Sequence, residues 1–590
     1  MKNLITLVLF ALVSIITTSS VKADVVSEYH LNLNITNDLS AQISLEVDLH
    51  NNATGSVIRA YSLDFPFTIV NAEAKLNGET VDISIDKLSD GSRINVTFFN
   101  KVINDNSDGR LNITLFADSP IVQKYDISQL LLPYPESNFS YQEVTANVTY
   151  PVSLGTPTLI SEYKYNFTSL NSEQNQISLS QKNPLMIIWG TPKYNVGFDL
   201  TLRNLKDTSN HYLLGLVPEY KNQIVHYINV NTAEYALTDK LGNAFSYLKL
   251  ERNSNIPINN SVNIEVNSDN SESGYPEKYN WSLNLDSTLG QKIYSQINQG
   301  TEVIGKLNAL NDFLVSNFEV DDKRIDAGSL DKIWENGNKS LNQLQFCYLI
   351  VSTAEYLGLP ARINYGYSIL NPGLQAGAHP SIWCEVLVDG RDISFDVPNQ
   401  KLFKISYFNT SHIDKLRMGT WHPVQSYNDI LGLLINNPYE ITINPLAVKQ
   451  GLETNVSMQL EFPEKVFSGE FYSGIIKIKN NSTKLLTFTE LKLNGGSILN
   501  NIVVGDLTKA VMPLQENSLK VDYLRETDFI LDKTISVNIE AELNKNISLK
   551  AQENVTFEPD YKLIAIFVVI ILVVVFILLF LVSRLLKKKF

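Results

Sequence analysis

An uncharged apolar run, Leu563 to Val582, stands near the C-terminal end of this 590-residue chain. A stretch of about 20 such residues is long enough to cross a bilayer as a helix, the shape that satisfies its own backbone groups in lipid. Arg584, Lys587, Lys588 and Lys589 follow it, and positive charge stays on the cytoplasmic side. Residues 563–583 are therefore expected to span the membrane, with 584–590 as a basic cytoplasmic tail. At the other end, Met1-Lys2-Asn3 precedes the apolar run Leu4 to Ile16 and the sequence Val21-Lys22-Ala23. A charged start, a short apolar core and a small residue before the cut read as a secretory signal over 1–23. Together these two segments predict a single-pass type I protein with its ectodomain outside the cell.

The rest of the composition fits that placement. About sixteen Asn-x-Ser/Thr triplets run from Asn34 to Asn554, all in the expected ectodomain. An Asn-rich chain produces some of these by chance, but their spread suits a surface glycoprotein. The net charge of −14 argues against a nucleic-acid partner. Only two cysteines occur, Cys347 and Cys384, so the fold does not rest on a disulfide framework. An oxidising compartment permits one bridge between them; two buried thiols packed as small apolar side chains are the other reading.

Alternation of apolar and polar residues dominates 24–149. Tyr29-His-Leu-Asn-Leu-Asn-Ile35 and Ala41-Gln-Ile-Ser-Leu-Glu-Val-Asp-Leu49 are examples, and such short strands between turns predict a β-sandwich. The acidic stretch Asn104 to Gly109 has Leu115 where a calcium loop would need a bidentate Glu, so it reads as a turn. Residues 150–285 continue in strands, as a second β region or as the other half of one large sandwich. Ser268 to Pro276 is polar and turn-rich, a linker in which Asp269 and Glu272 are solvated rather than metal ligands. No metal site and no cofactor is expected. Strands return over 445–558, read as an immunoglobulin-like sandwich.

Between the β segments the period changes. Val303, Ile304, Leu307, Leu310, Phe313, Leu314 and Phe318 fall three or four apart, as in an amphipathic helix. A second helix is expected over Leu341 to Leu357, with Ser340 as N-cap and Gly358-Leu-Pro360 as its end. Strands at about 360, 382 and 392 complete an α+β domain over 289–430. The fold class is thus multidomain: mainly-β sandwich modules flanking an α+β domain, plus one C-terminal transmembrane helix.

This α+β stretch carries a recognisable series: Gly358-Leu-Pro-Ala-Arg362, Tyr365-Gly-Tyr367, Trp383 with Glu385, and Asp396-Val-Pro398. The series resembles the transglutaminase-like domain, a relative of papain-type cysteine proteases, over about a quarter of the chain. Tyr407-Phe408-Asn409 with His412-Ile413 resembles the end of such domains. The resemblance implies a nucleophilic Cys at the helix start, a His two residues before the Trp, and an Asp that orients the His, the arrangement that a thiolate nucleophile requires. Here the Cys position falls on Gln343 and the His position on Ser381; only Asp396 is retained. An amide is no nucleophile, and Ser381 has no base beside it. On this register the resemblance implies a pseudoenzyme.

An alternative shifts the constellation. Cys347 lies one helical turn after Gln343, and a strand would point His379 to the same side as Ser381, giving a Cys347–His379–Asp396 triad for a peptidase or amide-transfer enzyme. Against it, Cys347 loses most of the helix-terminus effect, and His379 stands before Pro380, where core packing and a loop are the plainer readings. If the cleft is kept without the chemistry, Gln343, Ser381, Trp383 and Asp396 line it and suit an envelope glycan or an extended peptide; otherwise Trp383 is buried scaffold. Three roles follow for this membrane protein: binding of an envelope glycan, peptide or neighbouring surface protein; thiol catalysis; or a purely architectural ectodomain.

Overall fold

The computed structural model describes residues 25–587, except for 267–286, 322–338, 422–439, 446–454, 525–532 and gaps of one to four residues elsewhere. The signal segment, the linker at Ser268–Pro276, His412-Ile413 and the tail beyond 587 lie outside the described residues. The chain divides into two compact units, 1–193 with 265–416 and 194–264 with 417–590.

In the first unit the alternation of the leading strands buries one face. Tyr29, Leu31, Leu33 and Ile35 of strand Val25–Ile35 sink into the core, as do Ile43, Leu45, Val47 and Leu49 of Ala41–Asn51, because successive residues of a strand point to opposite sides. These two pair antiparallel, and Val25–Ile35 also runs parallel to Ser140–Pro151. They sit within a ten-stranded sheet. A four-stranded sheet, Pro157–Ile160, Leu185–Gly190, Ile127–Leu132 and Ile121–Lys124, shares its core: Leu130, Ile187 and Trp189 join Leu31 and Leu45 in one cluster. Trp189 meets Tyr150 with ring centroids 5.1 Å apart. The acidic stretch ends inside a strand, Ser107–Ala117.

The same unit holds the helices Thr288–Ile297, Val303–Asn317, Gln343–Tyr356 and Val397–Phe403. They accompany a four-stranded sheet in the order Arg391–Phe395, Gln375–Val388, Ala361–Asn371, Lys415–Thr420. The helix of the sequence motif starts later than Ser340 suggests. Ser340-Leu341 pairs as a short strand with Glu319-Val320, and Asn342 is the N-cap. Its side chain accepts the Gln345 N–H at 2.8 Å while the Gln345 side chain accepts the Asn342 N–H at 3.0 Å. That reciprocal box satisfies two helix-end donors at once. Gly358 closes the helix at φ +73°, where a residue without Cβ is favoured.

The second unit is again β. Lys193–Arg203 and Asn255–Val266 share a four-stranded sheet with Gln223–Asn229 and Glu440–Pro445. Tyr235–Thr238 pairs with Leu507–Val511, Ala236 facing Ala510, so strands from both segments of this unit build one sheet. The β region at 150–285 is thus shared: strands up to Gly190 belong to the first unit and most of those after it to the second. The helix Tyr561–Lys587 ends the described chain, and its segment Ile564–Leu585 is long and apolar enough to cross a membrane.

Candidate functional site

The residues singled out by the motif series converge on the helix Gln343–Tyr356 and the strands around Gln375–Val388, and the local geometry shows what each does. Gln343 lies in the first helical turn, and its Oε1 accepts the Ile382 N–H at 2.8 Å. Ser381 is buried at 3 % exposure and Trp383 at 1 %. The Trp383 indole N–H reaches Glu385 Oε1 at 3.4 Å. Glu385 in turn takes Arg362 Nε at 2.5 Å, and Asp392 takes Arg362 Nη2 at 2.8 Å. Arg362 and Glu385 are directly opposed across the strand pair, so this buried charge is anchored by cross-strand register.

Asp396 is buried too, at 1 % exposure. It caps the helix Val397–Phe403, its Oδ1 accepting the Asn399 N–H at 3.1 Å and its Oδ2 the Asn399 side-chain amide at 2.8 Å. Its charge is met by Lys415, whose Nζ lies 2.6 Å from Oδ2. Lys415 also lies 3.3 Å from Asp414 and donates to Ser368 Oγ at 3.2 Å, and its Nζ is 5.9 Å from the ring centroids of Trp383 and Tyr407. Burial pulls the ammonium toward its neutral form, but the Asp396 and Asp414 carboxylates outweigh it and hold Lys415 above its ordinary pKa. Sequence reading missed this lysine. Its signal was faint: Asp414, Lys415 and Arg417 form a short charged stretch at the start of a strand, where solvated side chains are the usual expectation.

His379 stands in the strand Gln375–Val388, opposite Ser368, despite the proline that follows it. Burial, then the Lys415 charge, lower its pKa, while a hydrogen bond to Asn399 and the Asp396 and Asp414 carboxylates act the other way. Its Nε2 has no hydrogen-bond partner. Cys347 and Cys384 are both buried and unbridged. Burial pushes the Cys384 thiol well above its ordinary range, and its hydrogen bond with Cys347 adds to the shift. The contacts shown for Cys347 thus run to Cys384, whereas those of His379 run to Asn399 and the charges around Lys415.

Gln343, Ser381, Trp383 and Asp396 therefore come together as an interior assembly, three of the four buried. Among the described residues no group of His, Cys, Asp and Glu could hold a metal ion. A cleft of about 710 Å³ in the same unit is lined by other residues, among them Lys182, Gln296, Asn308 and Asp312.

No family profile matches the chain, and no curated protein matches it. Among solved structures it is similar to a "Putative Cysteine Protease" from Cytophaga hutchinsonii, 14 % identical, with a TM-score of 0.30 over 44 % of this chain and 92 % of that one. It is also similar to an M1 zinc metallopeptidase from Deinococcus radiodurans, 16 % identical, TM-score 0.21, over 31 % of this chain and 45 % of that one. A third is the CARDB domain of the PF1109 protein from Pyrococcus furiosus, 14 % identical, TM-score 0.14, covering 18 % and 96 %.

Proposed function

We propose that this chain is a cell-surface, single-pass type I membrane glycoprotein whose α+β segment is a degenerate, non-catalytic transglutaminase-like module with a binding or structural role at the cell envelope. One observation carries the reading: the Lys415–Asp396 ion pair at 2.6 Å. The retained family carboxylate would orient an imidazole in an active enzyme; here it is the counter-ion of a buried lysine and the cap of a helix. The position implied for the nucleophile carries Gln343, committed to a backbone N–H. Burial of Ser381, Trp383 and Asp396 favours the structural form of the role over a ligand in the cleft. The apolar helix at 564–585 supplies the anchor.

A second reading rests on His379, whose open Nε2 and carboxylate neighbours suit a base in a Cys347–His379–Asp396 enzyme. The test is iodoacetamide labelling of the native, non-reduced chain in detergent from about pH 5 to 9, beside Cys347→Ala and His379→Ala. The pseudoenzyme reading expects both thiols to stay unlabelled until denaturation. Rapid labelling of Cys347 at the acid end, lost in His379→Ala, would overturn it.

A further inference from the structure

The geometry points to an intramolecular isopeptide bond between the side chains of Lys415 and Asp396. Both residues are almost wholly buried, at 2 % and 1 % exposure, and Asp414 beside them at 5 %. Nζ of Lys415 is 2.6 Å from Asp396 Oδ2, within reach of the carboxyl carbon. Oδ1, the oxygen that would remain in the amide, accepts the Asn399 N–H at 3.1 Å. That donor is placed to stabilise the charge that builds on Oδ1 during attack. Oδ2, the oxygen that would leave, faces Nζ and the Asn399 side-chain amide. A second carboxylate, Asp414, lies 3.3 Å from the same nitrogen, and the rings of Trp383 and Tyr407 flank it.

The step balances without any co-reactant. The ammonium of Lys415 first passes a proton to Oδ2 of Asp396, 2.6 Å away, leaving an amine lone pair and a neutral carboxyl. Nζ then attacks Cγ of Asp396, and the N–C bond forms. Asp414 carries a further proton from nitrogen to Oδ2, the C–Oδ2 bond breaks, and the oxygen departs as water. One ammonium and one carboxylate become one amide and one water, with no change of oxidation state. Two effects drive it. The reacting atoms are held in contact, so the association entropy is already spent. A neutral amide also relieves the desolvation of two buried charges, which an ion pair recovers only in part. A water-poor interior disfavours hydrolysis back to the pair.

The bond would tie the helix cap at Asp396 to the strand that begins at Lys415, a covalent clasp in a chain whose two cysteines are unbridged. It deepens the pseudoenzyme reading, since an amide at Asp396 removes the carboxylate that a Cys347–His379–Asp396 triad would need. A linear peptide map with unlabelled thiols overturns the bond alone, whereas rapid His379-dependent labelling of Cys347 overturns the pseudoenzyme reading.

Peptide mapping of the full chain tests it, purified in detergent, stripped of N-glycans and digested with trypsin under denaturing conditions. The expected product joins Asp392–Lys401 to Ile405–Arg417, lighter than the sum of the two by one water, with cleavage after Lys415 blocked. Lys415→Arg, which keeps the charge but not the amine, should yield only linear peptides. Asp414→Asn should lower the cross-linked fraction severalfold. The wild-type map decides the matter even if a variant fails to fold. Linear Asp392–Lys401 accounting for all of that segment, with normal cleavage after Lys415, would overturn the proposal. Loss of ammonia in place of water would put the bond on Asn399 or Gln400 and overturn the assignment to Asp396.

Discussion

Gln343 Oε1 accepts the Ile382 N–H at 2.8 Å, which joins the first turn of the helix Gln343–Tyr356 to the strand Gln375–Val388 at the position where the family resemblance implies a thiol. The side chain there is a fastener. Gln343→Ala leaves a strand N–H without its acceptor and is expected to cost about 1 kcal/mol in urea unfolding. Gln343→Cys should lose a similar amount and still show the slow labelling of an ordinary thiol, because Asp396 remains engaged with Lys415. A fast-labelling cysteine at 343 would show that the site keeps latent activating power, contrary to a non-catalytic module.

Lys415→Met is expected to be far more costly. It removes the tie to Asp396, whether ion pair or amide, and leaves the carboxylates of Asp396 and Asp414 buried without a cation. Breaking a buried pair from one side costs about 3–5 kcal/mol, well beyond the value of the same pair at a surface. Equilibrium unfolding of Lys415→Met beside Lys477→Met, an exposed lysine paired with Glu461, makes the comparison. Equal small losses in the two would mean that the Lys415 cluster is solvated rather than interior.

Much of this architecture is legible in the sequence, and the parts that are not share a cause. Strand alternation at 29–49 and helical spacing at 303–318 are local signals, and the burial of Tyr29, Leu31, Leu307 and Leu314 follows them. Pairings made across hundreds of residues leave no such trace: nothing near Ala236 announces that it will face Ala510. The helix start shows the same at short range. Ser340 and Asn342 are both good caps, and pairing of Ser340-Leu341 with Glu319-Val320 decides between them. In the site, Trp383, Asp396 and Arg362 stand out by pattern, but Lys415 does not, and the burial of both cations is not written in the sequence. A lone lysine or arginine in a sequence reads as surface, and only the fold brings two carboxylates to each.

The C-terminal helix gives a prediction that needs no knowledge of the site. Ile564–Leu585 is a 22-residue apolar segment, sufficient for a hydrocarbon core about 30 Å thick. The full chain should remain in the membrane pellet through an alkaline carbonate wash, and a chain truncated after Pro559 should move to the supernatant. Full-length protein in the supernatant would remove the anchor from the proposal.

His379 ties the site to acid stability, with a sign that can be worked through. Burial, and then the Lys415 charge, hold its pKa in the folded chain below the ordinary 6.5; the Asn399 hydrogen bond and the carboxylates of Asp396 and Asp414 oppose this without reversing it. Between the folded and unfolded values the unfolded chain binds more protons, so stability rises with pH in that window. The contribution is complete above about pH 6.5 and is lost as pH falls through the folded value. His379→Gln keeps a polar side chain without the titration. Melting temperatures of the two chains should run parallel from about pH 8 to 7 and draw together or cross below about 6.5, the wild type falling faster. Parallel curves through the whole range would mean that His379 titrates as a solvated residue.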